Sequence, residues 1–185
     1  LMFDFHGAIQ NLPGSTPARQ MLVENSLRYL EALSAESGNE PALQRELGAA
    51  YEKVGDVQGG FRSANLGDLT GATSSYRKAL AIREALSEAQ PQDRELRREL
   101  LRNYGKLSEI LLGQDDTQGA MEATRALVRL ARELAAYPDA TLADRRNFAS
   151  ALGSLGFQLA QQGRPGDGLL SLRQAIAMYE NLLME

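Results

Sequence analysis

The 185-residue sequence has no cysteine, no tryptophan and a single histidine. Without cysteine, neither a disulfide nor a cysteine-based zinc site can form. The one histidine, His6, lies in a short apolar N-terminal segment with Phe3, Phe5 and Ile9. A lone imidazole makes neither a convincing zinc site nor a Ser-His-Asp triad. No run of about 18 apolar residues occurs, so no membrane insertion by this chain is expected, and no signal-peptide pattern opens it. No stretch alternates with period two for long enough to argue a strand. Aromatic residues are only 6%. A net charge of −4 gives no general reason to expect nucleic acid or anionic lipid. These absences point away from an enzyme, a cofactor or a metal protein. The chain opens at Leu1 rather than Met, which reads as a piece of a longer protein.

What is present is helical. Hydrophobic residues are 43% and charged residues 24%, ordinary for a folded domain. Leu22, Leu27, Leu30 and Leu33 recur at helical spacing, as do Leu127, Leu130, Ala131 and Leu134. All six prolines fall where a helix would start or stop. Thr16-Pro17 reads as a cap followed by proline at the first helical position, where a missing N–H does no harm. Gly38-Asn39 ends that helix and Pro41 opens the next; Pro91 and Pro138 follow two more, and Pro165 lies in the turn GRPGDG. Thr141 and Asp144 have capping-box spacing. The punctuation predicts seven helices, over about 17–37, 41–58, 68–89, 92–112, 116–136, 141–162 and 166–184. Small residues such as Ala49, Ala50, Gly105, Gly153 and Gly156 fall inside them. Glycine there costs about 1 kcal/mol relative to alanine, so close helix–helix approach is the expected return.

One motif returns every 48 residues. Ala72, Ala120 and Gly168 are evenly spaced, each after a turn rich in Gly or Asp. Tyr76, Thr124 and Leu172 share one equivalent position, and Ala79, Leu127 and Ala175 another. A fixed period in this range is the mark of a solenoid, whose repeats bury a core between neighbours and leave long open faces. Tyr51 and Tyr104 are 53 apart rather than 48, which predicts five inserted residues near 59–65, GGFRSAN. This stretch, with Phe61 and Arg62, should be an exposed loop.

These residues resemble the tetratricopeptide repeat. Leu47-Gly48, Tyr51 and Gly55 match its first-helix pattern; Gly67, Ala72, Tyr76 and Ala79 match the second. Leu155-Gly156, Leu159, Gly163, Gly168, Leu172 and Ala175 look like a further copy. The standard repeat is 34 residues, which leaves seven extra per helix; seven residues turn a helix through about 700°, nearly two full turns. The expected fold is therefore all-α: a tetratricopeptide-like, right-handed α-solenoid of about seven long antiparallel helices. Residues 1–15 form an N-terminal segment and 16–185 the repeat domain, with a leading helix over 17–37 and hairpins over about 41–89, 92–136 and 141–184. Nearly the whole chain, through the blocks LPGSTPAR and YEKVGDVQG above all, resembles the C-terminal repeat region of bacterial membrane-anchored serine/threonine protein kinases. That resemblance implies an extracytoplasmic sensory or docking region, with a cytoplasmic placement left open. The kinase motifs themselves (GxGxxG, VAIK, HRD, DFG) are absent.

Candidate binding residues come from the repeat register. Arg45, Arg98 and Arg146 fall at equivalent places on successive first helices, as do Lys53 and Lys106, with Arg102 one turn from Arg98. By resemblance, first helices line a concave face, so these cations would form a basic stripe suited to a peptide carboxylate or acidic segment. The stripe departs from the family's carboxylate clamp, since Asn103 and Asn147 are not in its order. The competing reading is a solvated face with internal salt bridges to Glu46, Glu52 and Glu99. Asp115-Asp116 reads as a helix cap; QDDTQGAMEA lacks the ligand spacing of an EF-hand, and GRPGDG lacks the lysine of a phosphate loop. The expected partner is a protein or peptide. Two other functions remain open: dimerisation, with Met178, Leu182 and Leu183 packing on a second copy or a further element, and small-ligand sensing in the groove. The segment MFDFHGAI reads as a linker, a dimer contact or a strut packed on the first helices.

Overall fold

The computed structural model describes residues 14–36, 38, 40–61 and 64–184. The N-terminal segment with His6, and also Asn39 and Arg62, lie outside the described residues. Among the described residues there are seven α-helices and no strand: α1 Thr16–Glu36, α2 Pro41–Gly59, α3 Leu69–Ala89, α4 Arg94–Gly113, α5 Thr117–Ala135, α6 Leu142–Gln161 and α7 Pro165–Leu183. Their bounds fall within three residues of those expected. Where they differ, capping decides: α4 begins after Asp93 rather than at 92, because the Asp93 carboxylate accepts a bond from the Leu96 N–H.

The caps follow the repeat. Asp68 and Asp116, 48 residues apart, accept from the Gly71 and Gly119 N–H groups at 2.8 and 2.9 Å. Asp93 and Thr141, also 48 apart, cap α4 and α6, and Thr141 forms the full capping box with Asp144. The turns follow it too. The Asp68 N–H donates to the Gln58 carbonyl, Asp116 to Leu111 and Arg164 to Leu159, each at 2.9 Å. The first turn spans five residues more than the other two, so the insertion lies between Gln58 and Asp68, as expected.

Packing runs mainly between consecutive helices. Three apolar clusters bridge them. Val23 and Leu30 of α1 meet Leu47, Tyr51, Val54 and Val57 of α2 and Ala79 of α3. Ala72 and Tyr76 of α3 meet Leu107, Ile110 and Leu111 of α4 and Ala120 and Ala123 of α5. Leu100 and Leu101 of α4 meet Val128, Ala131 and Leu134 of α5, Ala151 and Leu152 of α6 and Ala175 of α7. Each cluster draws on three helices or more, so no helix pair closes its own core.

Within each pair the two helices touch at one matched position. A Cβ on Gly55 would lie 2.7 Å from the Tyr76 ring, and one on Gly156 would lie 2.8 Å from both the Gly168 carbonyl oxygen and Leu172 Cγ. In the middle pair Ser108 and Thr124 share a hydrogen bond of 2.7 Å. Gly55, Ser108 and Gly156 are therefore structural equivalents. This corrects the register of the third copy: the sequence pattern sets Gly156 against Gly48, but the contacts set it against Gly55, seven residues along. Two helical turns separate the choices, and a near-integral number of turns preserves the apolar face. Gly105 and Gly153 are a second correction, because a Cβ at either meets nothing within 4 Å. They look onto open space rather than a packed helix.

Candidate functional site

The outward face of the first helices is laid out by the repeat. Residues 45, 98 and 146 share one position on α2, α4 and α6; 53, 106 and 154 share another, and 56, 109 and 157 a third. Three of the six predicted cations, Arg45, Arg98 and Lys106, are tied to carboxylates at a neighbouring first helix, while Arg102 lies 3.8 Å from Glu95 of its own helix. Arg45 of α2 reaches Asp93 at 3.0 Å and Glu99 at 2.7 Å, at the start of α4. One repeat later, Arg98 of α4 makes a bidentate pair with Asp144 at the start of α6, at 2.8 and 2.7 Å. Lys106 donates to Glu52 at 2.6 Å and to both Asp56 oxygens at 2.8 Å. Glu52 and Glu99 are the anions named in the salt-bridge reading, whereas Glu46 is not among these partners.

Behind this ladder lies a buried arginine. Arg83 of α3 is 3% exposed, with Nη1 on Glu52 and on the Asn103 amide oxygen at 2.9 Å. Asn103 donates to the Tyr76 carbonyl at 3.1 Å, and Tyr76 gives its own hydroxyl to Asp56 at 2.8 Å. The electrostatics follow the contacts. Arg98 holds the Asp144 carboxyl well below the usual carboxylate range; burial pushes the other way and loses, and Thr141 adds to the stabilisation. Burial pushes Glu52 up, but Lys106 and Arg83 together more than offset it and hold it below its ordinary value. The Tyr76 hydroxyl is pushed far up, by burial first and then by Asp56, so it stays protonated and donating.

Beside the ladder, α4 and α6 frame a groove of about 500 Å³. One wall carries Arg102, Lys106 and Glu109 of α4; the other carries Asn147, Ser150 and Ser154 of α6. Gly105 lines it beside Arg102 and Lys106, and a Cβ there would meet nothing within 4 Å. Phe61, from the inserted loop, and Phe157, from α6, line it as well and remain 55% and 57% exposed. A Cβ on Gly113 would lie 2.6 Å from the Phe61 ring, so that residue must be glycine for the ring to rest there. The loop's far side is anchored to α1 by Arg19, which donates to the Ala64 carbonyl at 2.8 Å.

Of the six predicted site residues, the groove gathers Arg102 and Lys106 only. Arg45 and Arg98 tie repeats together beside it, while Lys53 and Arg146 are exposed on α2 and α6 away from its lining. Phe157 escaped the sequence reading. Its signal was available in the register, since an aromatic stands where the two earlier repeats carry Asp56 and Glu109. Among the described residues no group of three or more His, Cys, Asp or Glu side chains is placed to hold a metal ion. Among those residues no helix is long and apolar enough to cross a membrane. No family model matches the chain, and no curated protein matches it.

Proposed function

We propose that this chain is a non-catalytic interaction module: a tetratricopeptide-like right-handed solenoid of antiparallel hairpins that holds a protein or peptide partner in the groove between α4 and α6. The observation that carries this reading is the groove itself, lined by two exposed phenylalanines and by Gly105. Exposed aromatics rimmed by polar residues are the anchors that binding surfaces use. Its occupant is an extended peptide offering one large apolar side chain to Phe61 and Phe157 and an anionic group to Arg102. The resemblance of the LPGSTPAR and YEKVGDVQG blocks supports placement in the C-terminal repeat region of a bacterial serine/threonine kinase, on the extracytoplasmic side.

Peptides selected from a random display library against the chain test the proposal. Ser154→Arg places a long cation in the groove from an exposed position, and Arg125→Ala alters exposed α5 away from it. Selected peptides should lose at least about tenfold in affinity, roughly 1.4 kcal/mol, on the first substitution and nothing on the second. A selection whose binders ignore Ser154→Arg overturns the groove as the binding surface.

A further inference from the structure

The last helix leaves an apolar stripe uncovered. Leu169, Ile176 and Leu183 of α7 are 48%, 56% and 85% exposed, and Tyr179 is 40% exposed. Along the helix they run at spacings of seven, three and four, which keeps them on one face as in the seam of paired helices. The repeat register says what such a face is for. The positions matching Leu169, Ile176 and Tyr179 on α5 are Met121, Val128 and Ala131, which are buried at 3%, 6% and 0%. There α6 covers them, since Val128 and Ala131 share a core cluster with Ala151 and Leu152. On α3 the matching Thr73 and Arg83 are buried, and Arg83 bonds Asn103 of α4. On both inner helices, then, this face is closed by a further helix. Met178 and Leu182 are not part of the stripe, because both are partly buried and Met178 packs on the core.

We infer that the stripe is closed by the α7 of a second copy, packed antiparallel about Ile176. The face is self-complementary in that arrangement. Leu169 meets the partner's Leu183 and Ile176 meets its own counterpart, with Tyr179 beside them, while Leu172 stays turned to Gly156 of α6. The flanking charges match as well: Arg173 and Glu180, both exposed, lie on opposite sides of Ile176, so each cation faces the other copy's anion. A two-fold contact needs this property, in which residue i meets j and j meets i. A single helix face lies at the small end of stable interfaces, so the dimer forms in a concentration-dependent way. It leaves the α4–α6 groove open and stands independently of peptide binding.

The test is molar mass by light scattering over a concentration series, with circular dichroism to verify folding. The chain should rise from 20.2 kDa toward twice that mass. Ile176→Glu should hold it at the monomer mass. Arg173→Glu and Glu180→Arg, each alone, set like charges against each other and should weaken dimerisation at least about tenfold. Mixed together, the two variants should recover the dimer, because each then meets an opposite charge. A monomer at every concentration overturns the proposal and assigns the stripe to another helix. A dimer that survives Ile176→Glu, or variants that fail to rescue one another, overturns it equally.

Discussion

Substituting Asp144 separates a structural tie from a binding residue on the same face. Its side chain is 1% exposed and accepts four hydrogen bonds: two from Arg98, one from the Thr141 N–H and one from the Thr141 hydroxyl. Asp144→Ala removes the capping box, which costs about 1 kcal/mol. It also strands Arg98. Removing one partner of a fully buried ion pair costs about 3–5 kcal/mol, but the Arg98 side chain is 26% exposed and lies 3.3 Å from Glu95, so re-solvation lowers that share to about 2 kcal/mol. The expected loss is therefore about 3 kcal/mol, or roughly 6–12 °C in melting temperature for a chain of this size. Arg98→Met should cost about 2 kcal/mol, and the double variant little more than Asp144→Ala alone, because the two changes remove one shared interaction. Urea unfolding followed by circular dichroism measures the totals. Hydrogen exchange at the first turn of α6 locates the effect, since helix pairs packed mainly on their neighbours open in parts. A change below about 0.5 kcal/mol for Arg98→Met would place that arginine among ordinary surface residues and refute its role as a tie between helices.

Two interior glycines should respond to alanine with opposite signs. Gly105→Ala adds a methyl that meets nothing within 4 Å and should stabilise the chain by about 0.5–1 kcal/mol through helix propensity, read as a raised midpoint in urea. Gly156→Ala drives its Cβ to 2.8 Å from the Gly168 carbonyl oxygen and should cost about 1–3 kcal/mol, because backbone rather than a flexible side chain must move. Acid should destabilise the fold through Asp144 and Glu52, both held below their ordinary values. A depressed carboxyl contributes stability above its unfolded value of about 4 and loses it as pH falls through the folded value. The melting temperature should therefore drop below about pH 4, and Asp144→Asn should start lower and fall less steeply over that range.

Much of the fold was legible because it rests on local rules. Proline, glycine and short polar residues punctuate the chain, and Asp68, Asp93, Asp116 and Thr141 cap their helices in the structure. The five-residue insertion was visible as a difference between two spacings, and a turn bond common to all three pairs places it. The register of the third copy was legible in the 53 and 48 spacings of Arg45, Arg98 and Arg146, which set Gly156 against Gly55, but the family pattern pulled Gly156 onto Gly48. Seven residues are nearly two turns, so a pattern slipped by seven buries the same face, and the contact of Gly156 with Leu172 decides for the spacing. Composition does not distinguish a glycine that admits a neighbouring helix, such as Gly156, from one that lines a groove, such as Gly105. Both read as small residues in a helix.

The basic stripe illustrates a more general limit. Sequence periodicity reported that Arg45, Arg98 and Arg146 are equivalent, and equivalence is a statement about position rather than partnership. The carboxylates that meet Arg45 and Arg98 are not at matching positions: Asp93 caps α4, and Asp144 stands three residues past the matching cap Thr141, yet both lie at a helix start, where the dipole favours an anion whether or not a cation approaches. Arg45 and Arg98, each one first helix earlier, are drawn to those charges, whereas Arg146 stays exposed on α6. Periodic charge in an array thus arises from joining repeats to one another, without any outside ligand. The residues that depart from the period carry more information about binding. Phe157 replaces an acid, and Phe61 belongs to a loop that the other two turns lack. Both line the groove between α4 and α6. The peptide proposed for this groove would therefore meet the positions where the repeats differ, and a search for its contacts should begin with those exceptions.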